Sequence, residues 1–187
     1  MKDGKMFRSL AEARAANALY QRAEEEWKQG RMRLAFRWML GAAKAGMVPA
    51  FGTVAQFYDR GDGVRANQGS ALYWYQRAYQ SGDHSVANNI GCILRDRKKT
   101  SQALRWFRRA VDSGDGDANL NIAKVYLHKK RDIGKAIQYL IKTRRSKWAT
   151  EGSKDEARLL LMQLKDAQER SSIPRGARSR QRGSTPG

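Results

Sequence analysis

Residues 50–82 read AFGTVAQFYDRGDGVRANQGSALYWYQRAYQSG, and this stretch decides the fold. Apolar residues recur at helical spacing on both sides of a glycine-rich turn, GDGV at residues 61–64. Glycine in such a turn is expected to adopt a left-handed backbone that other residues reach only with strain. Asn67 follows the turn and is the predicted N-cap of the next helix. The stretch therefore predicts a helical hairpin.

The same plan recurs along the chain. One alanine in the second helix of each hairpin returns at steps of 36, 32 and 33 residues, and an aromatic residue follows it by three positions. The alanines are Ala35, Ala71, Ala103 and Ala136, and the aromatic residues are Trp38, Trp74, Trp106 and Tyr139. A hairpin this small cannot bury its apolar face alone, so repetition at this period predicts stacked hairpins. We expect the aromatic column to fill the space between the helices.

The predicted fold class is therefore all-α, a right-handed α-solenoid of about four helix-turn-helix repeats with a C-terminal capping helix. We place the repeats at about residues 9–48, 49–84, 85–116 and 117–148, and the capping helix at 149–170. Ser9 with Glu12, and Ser153 with Glu156, form capping-box patterns, and Thr100 is a further candidate cap. Residues 1–8 are predicted to be flexible, and the arginine-rich residues 171–187 are predicted to be disordered.

The repeats resemble the Sel-1-like repeat family, a branch of the tetratricopeptide-like α-solenoids. The second repeat matches the family pattern most fully, at Ala50, Val54, Ala55, Tyr58, Gly61, Gly63, Val64, Ala71, Trp74, Tyr75, Ala78 and Gly82. The third and fourth repeats depart from the pattern, since RDRKK (95–99) and HKKRD (128–132) replace the glycine turn. The first repeat lacks that turn and most of its first-helix motif. The resemblance implies a non-enzymatic scaffold or adaptor that binds other proteins.

The chain carries a formal charge of +19, from 37 Lys and Arg against 18 Asp and Glu. Such a charge attracts acidic proteins, nucleic acids or anionic lipids without distinguishing among them. Many of the cations fall in the turns between paired helices: Arg31, Arg33, Arg60, Arg65, Arg95, Arg97, Lys98, Lys99, Lys129, Lys130 and Arg131. Equivalent turns stack along one edge of a solenoid, which predicts a continuous basic ridge. The helix dipole favours cations here by about 0.3–1 kcal/mol, which accounts for one or two per turn but not for four.

A polar column is predicted on the first helices, which line the concave surface of such a fold. One position reads Arg22, Thr53, Asn89 and Asn121, and a second reads Gln56, Cys92 and Lys124. Amides and cations in a row could bind the backbone or carboxylates of an extended peptide. Alternatively, the asparagines brace the neighbouring repeat. The sequence leaves both interpretations open.

Catalysis is not expected. The two histidines, His84 and His128, have no metal-binding spacing, and Cys92 has no partner for a nucleophilic dyad. We therefore expect no catalytic residue, no metal, no cofactor and no small-molecule substrate. The single cysteine is compatible with a reducing compartment, and no apolar stretch suggests a signal peptide or a membrane span. The sequence thus favours a cytoplasmic protein.

Three functional hypotheses remain. The leading one is an adaptor that binds an acidic protein or peptide through the concave face and the basic edge. The second is a sequence-independent nucleic-acid (RNA) binder, which would use the ridge and the arginine tail for phosphates. Against it, the aromatic residues occupy predicted core positions, so no row of exposed rings is expected to stack on bases. The third is an inhibitor or immunity protein for a toxin or secreted effector.

Overall fold

Helices make up the regular structure of residues 9–172, the part of the chain that the computed structural model describes. No β-strand occurs within that range, in agreement with the predicted all-α class. The segments predicted to be flexible (1–8) and disordered (from 173 onward) lie outside the described residues. Within the range, the side chains of Lys129, Lys130 and Ser172 are also undescribed. The described chain divides into two compact units, residues 9–113 and 114–172.

The first unit consists of three helical hairpins. Its helices are α1 (Leu10–Lys28), α2 (Met32–Lys44), α3 (Val48–Arg60), α4 (Gln68–Gln80), α5 (Ala87–Asp96) and α6 (Thr100–Asp112), with a 3-10 turn at His84–Val86. Within the hairpins, α1 packs on α2, α3 on α4 and α5 on α6; between them, α2 packs on α3 and α4 on α5. Each helix thus contacts mainly its neighbours along the chain, as expected for stacked repeats.

Two predicted caps are confirmed and one is wrong. The Ser9 side chain accepts a hydrogen bond from the backbone N–H of Glu12, and Asn67 caps α4 by accepting from the first-turn amides. Thr100, by contrast, is already the first residue of α6. Lys99 precedes it at the N-cap position and makes no side-chain capping bond. The helix therefore begins one residue earlier than a cap at Thr100 would require.

The most deeply buried column lies one residue after the predicted aromatic column. In the first unit it consists of Met39, Tyr75 and Phe107, each at most 1% exposed. Of the aromatic column, only Trp74 is buried there, whereas Trp38 and Trp106 are half-buried. At 3.6 residues per turn, the position four after the repeat alanine lies about 40° from it around the helix, and the position three after lies about 60° away. The later column therefore points more directly into the core.

The second unit consists of α7 (Ala118–Val125), a π-helical turn (Tyr126–Lys130), α8 (Ile133–Arg145) and α9 (Glu151–Ser172). Its core joins all three helices through Leu120, Ala123, Leu140 and Ala157, with Tyr139, Leu160, Leu161 and Leu164 packed around it. The predicted apolar stripe of the last helix therefore faces the core. An open apolar groove of about 660 Å³ remains between α8 and α9.

The predicted capping box of the last helix is wrong. Thr150, not Ser153, caps α9: its hydroxyl accepts from the backbone N–H of Ser153, at 3.3 Å. Glu156 does not turn back to the helix start but forms an ion pair with Lys124, at 2.8 Å. A threonine three residues before Ser153 offers the same capping chemistry, and the packing of the preceding loop selects it.

Candidate functional site

Three turns of the first unit follow one another along one edge. A Cβ atom placed on Gly63 would lie 2.3 Å from the carbonyl oxygen of Met32 and 2.7 Å from the nitrogen of Arg33, so the turn after α3 touches the start of α2. The guanidinium of Arg97, in the turn after α5, lies 3.7 Å from the same point on Gly69, at the start of α4. We call this edge the basic edge; its cations are Arg31, Arg33, Arg60, Arg65, Arg95, Arg97, Lys98 and Lys99.

The remaining turn cations, Lys129, Lys130 and Arg131, belong to the second unit. Arg131 is exposed at the end of the π-helical turn. The side chains of the two lysines lie outside the described part of the chain. Continuity of the ridge from one unit to the other stays a prediction.

Some cations of the basic edge are paired within the chain. Arg31 donates to the carboxylate of Glu26, which is buried. This hydrogen bond from Arg31 is the main cause that holds the pKa of Glu26 below its usual value. Arg95 pairs with Asp96 at 3.0 Å. Such cations are already partly neutralised, which leaves less of their charge for a partner.

Arg97, Lys98 and Lys99 form the part of the basic edge that is open to a partner. All three side chains are exposed. Within residues 9–172, none of the three takes part in an ion pair. Three consecutive unpaired cations repel one another, so they gain from the approach of an anionic group.

Two turn cations occupy strained backbone positions. Lys98 has φ +61° and Arg131 has φ +51°, both in the left-handed region. In the first two hairpins, glycine takes this conformation after the first helix, at Gly30 and Gly61. A side chain in this region costs about 1–2 kcal/mol. Turn geometry therefore favours glycine at residues 98 and 131, and does not explain the cations.

Replacing Lys98 by glycine is expected to stabilise the protein. Lys98→Gly removes the left-handed strain and should raise the free energy of unfolding by about 1 kcal/mol, less the entropy that glycine adds to the unfolded chain. Urea denaturation followed by circular dichroism measures the change. Lys99→Gly is the matched control, because Lys99 has φ −85° and gains no such relief. If Lys98→Gly is no more stable than Lys99→Gly, the backbone of Lys98 is not strained.

The polar column is partly used inside the protein. The hydroxyl of the buried Tyr75 donates to a carboxylate oxygen of Asp59, at 3.3 Å, and is also hydrogen-bonded to the side chain of Asn89. Burial is the main cause that raises the pKa of Tyr75 well above its ordinary value. Because Asn89 lies on α5 and Tyr75 on α4, this contact joins two successive hairpins. The arrangement favours the bracing interpretation for Asn89.

Other members of the column also have contacts within the chain. Arg22 lies over the ring of Trp38, 5.0 Å from its centre, and Lys124 is the partner of Glu156. The rest are half-buried: Thr53 and Gln56 on α3, Cys92 on α5 and Asn121 on α7. The column therefore offers a partner fewer open groups than the basic edge does.

A feature that the sequence reasoning missed is a cation stacked on each of three rings of the aromatic column. Arg77 lies 5.1 Å from the ring centre of Trp74, and Arg109 lies 4.6 Å from that of Trp106. In the second unit, Lys142 lies 4.8 Å from the ring centre of Tyr139. The cation three residues after the ring was the available signal. Each ring is thus covered by a cation, which disfavours base stacking on this column.

The two histidines lie in surroundings typical of surface residues. His84 is exposed beside the ring of Tyr79, 4.9 Å between ring centres, and His128 is exposed in the π-helical turn. Across the described residues, no three metal-ligating side chains cluster. Nor does any helix in that range combine the length and apolar character that a bilayer crossing requires.

Comparison with protein families identifies the repeats. The Sel1 repeat model matches residues 32–47, 54–83, 90–115 and 117–144, which together exceed half of the chain. The chain therefore belongs to the Sel1 repeat family. The first match begins at α2 and omits α1, in agreement with the reduced motif seen in the first helix. Proteins of this family generally mediate protein–protein interactions, and they are typically non-catalytic scaffolds.

Two solved structures share this fold. A Sel1 repeat protein from Oxalobacter formigenes is 23% identical with a TM-score of 0.58; the match covers 71% of this chain and 57% of that one. The protective antigen c5321 of uropathogenic Escherichia coli, which displays an SLR fold, is 25% identical with a TM-score of 0.56, covering 69% and 30%. The chain thus spans little more than half of the first and less than a third of the second. No curated protein matches the chain. The predicted solenoid fold class is confirmed.

Proposed function

We propose that this protein is a non-catalytic adaptor that binds an acidic protein or peptide through its basic edge. The observation that carries the proposal is the exposed run Arg97, Lys98 and Lys99. It has no ion-pair partner within the described residues, and its central member sits in a strained conformation. The predicted concave column is a secondary contact, since several of its members bond within the chain. The single cysteine supports a cytoplasmic location.

Carboxylates suit this surface for two reasons. Arginine binds a carboxylate through two parallel hydrogen bonds, and the neighbouring lysines add charge without fixed geometry. Exposed cations of this kind mainly accelerate association and make binding sensitive to salt, rather than supplying most of the affinity. The proposal therefore predicts binding that weakens as salt rises.

Reversing the charge of two lysines tests the proposal. Lys98→Glu/Lys99→Glu is expected to weaken binding to an acidic peptide by about tenfold. The probe is a fluorescein-labelled peptide of four consecutive Asp-Glu-Leu units, and affinity is measured by fluorescence anisotropy at low and raised salt. Arg105→Glu/Arg108→Glu is the matched control, because it makes the same charge change at two exposed residues of α6.

The outcomes separate the competing functions. Equal losses in the two double variants would show that only net charge matters, and would contradict the basic edge as a site. A uridine oligonucleotide of similar length serves as the competitor. If it binds more tightly than the peptide and shows a steep salt dependence, the protein is a nucleic-acid binder and the proposal fails.

A further inference from the structure

Trp148 is the most exposed large apolar side chain of the described residues. It lies in the loop between α8 and α9 with 76% of its surface accessible. Tryptophan usually contributes to a core, and exposed tryptophan is enriched at the energetic centres of protein interfaces. Trp148 falls outside the repeat spacing, so the repeat pattern does not predict a role for it. Its exposure raises the question of what the loop binds.

The loop that carries Trp148 is held firmly by the second unit. The carboxylate of Asp117 accepts hydrogen bonds from the backbone N–H and the hydroxyl of Thr150, at 2.7 and 3.1 Å. The backbone N–H of Trp148 itself donates to the hydroxyl of Ser146, at 3.1 Å. The next residue, Ala149, is buried. A defined backbone thus presents an exposed ring, and little conformational entropy is lost when a partner binds.

Close packing against the chain before α7 also fixes this loop. A Cβ atom on Gly116 would lie 2.4 Å from the backbone nitrogen of Ala149 and from the hydroxyl of Ser146. Only glycine allows the chain before α7 to approach the loop this closely. The exposure of Trp148 is therefore not the result of a loosely packed segment.

The residues beside Trp148 are basic. Arg144, Arg145 and Lys147 are exposed, and none of them joins an ion pair in the described part of the chain. The segment from Lys142 to Trp148 contains no acidic residue. An aromatic anchor with a positively charged surround complements a partner that presents an aliphatic side chain among carboxylates.

We infer that the α8–α9 loop is a docking site for an acidic protein segment, with Trp148 as its apolar anchor and Arg144, Arg145 and Lys147 as its charged rim. The inference rests on the proposed function for the class of partner. It differs in the site, because it assigns a contact in the second unit that is separate from the basic edge. A partner that binds here should need both negative charge and an aliphatic side chain.

Substitution of Trp148 tests the inference. Trp148→Ala should weaken binding of the Asp-Glu-Leu peptide by about tenfold, as for a central interface tryptophan, and Trp148→Phe should restore most of it. A peptide of Asp-Glu-Ser units should lose affinity for the wild type and respond little to Trp148→Ala. Tyr73→Ala is the control, since Tyr73 is also an exposed ring, at 55%, but belongs to α4. Thermal unfolding should be nearly unchanged by Trp148→Ala, because the side chain is mostly exposed.

Each other outcome overturns a specific step. If the wild type binds the peptide and Trp148→Ala binds it equally, the loop is not the site, and the basic edge is then judged by Lys98→Glu/Lys99→Glu alone. If Trp148→Ala abolishes binding and Lys98→Glu/Lys99→Glu has no effect, the inference stands and the basic edge fails. Loss of uridine oligonucleotide binding on Trp148→Ala, without peptide binding by the wild type, overturns both. A wild-type dimer in sedimentation that Trp148→Ala converts to a monomer would identify a second copy as the occupant, and would also overturn the inference.

Discussion

Gly63→Ala is expected to lower the free energy of unfolding by about 2–5 kcal/mol. Gly63 has φ +68°, where an alanine is strained by about 1–2 kcal/mol. The new methyl group would also lie 2.3 Å from the carbonyl oxygen of Met32 and 2.7 Å from the nitrogen of Arg33. These are backbone atoms at the start of α2, so no side-chain rotation relieves the clash. Forcing such a contact apart typically costs a further 1–3 kcal/mol or so.

Gly30→Ala is the control that separates the two causes. Gly30 has a similar φ of +72°, but nothing lies within 4 Å of the position of its Cβ atom. We therefore expect Gly30→Ala to cost only the backbone strain, about 1–2 kcal/mol. Urea denaturation of both variants, followed by circular dichroism, gives the difference. If the two variants lose equal stability, the close approach of the GDGV turn to α2 is not a determinant of the packing.

Gly63 shows how much of the fold can be predicted from the sequence. The pattern around residues 61–64 predicts a turn with left-handed glycines, because that requirement is local. It does not reveal that Gly63 must also admit the backbone of α2, since this contact depends on how two hairpins stack. The caps show the same limit. Ser9 and Asn67 were predicted correctly, whereas α6 begins at Thr100 itself and α9 is capped by Thr150 instead of Ser153. The residue at which a helix begins depends on the adjoining loop, which local spacing does not determine.

In the candidate site, too, local features were predictable and contacts between distant residues were not. The residue types of the basic turns were evident from the sequence, whereas the ion pair of Arg95 with its neighbour Asp96 was not predicted. That Lys124 pairs with Glu156, 32 residues away, could not be read from local spacing. The same holds for the bond between Asn89 and Tyr75, which turns a candidate ligand into a brace between hairpins. Trp148 was missed because a repeat-based search weights residues that recur.

Substitution in the most deeply buried column is the second change with a large expected effect on stability. Phe107→Ala is expected to lower the free energy of unfolding by about 3–5 kcal/mol, because a fully buried ring is lost and a cavity remains. Trp106→Ala should cost less, about 2 kcal/mol, since its ring is half-buried and only part of its apolar surface returns to water. Unfolding in urea, followed by circular dichroism, compares the two. If Trp106→Ala loses more unfolding free energy than Phe107→Ala, the aromatic column contributes more to the core than the buried column does.

A double variant tests whether the ring of Phe107 packs directly against Gly91. A Cβ atom on Gly91 would lie 2.5 Å from that ring, so Gly91→Ala alone should destabilise the protein by about 1–3 kcal/mol through overpacking. Once Phe107→Ala has removed the ring, the methyl group on residue 91 enters the cavity instead of clashing. The loss in Gly91→Ala/Phe107→Ala should therefore be smaller than the two single losses combined, by at least about 0.5 kcal/mol. Strict additivity would mean that α5 and α6 do not pack through this pair, because neighbouring residues that compete for one volume must couple.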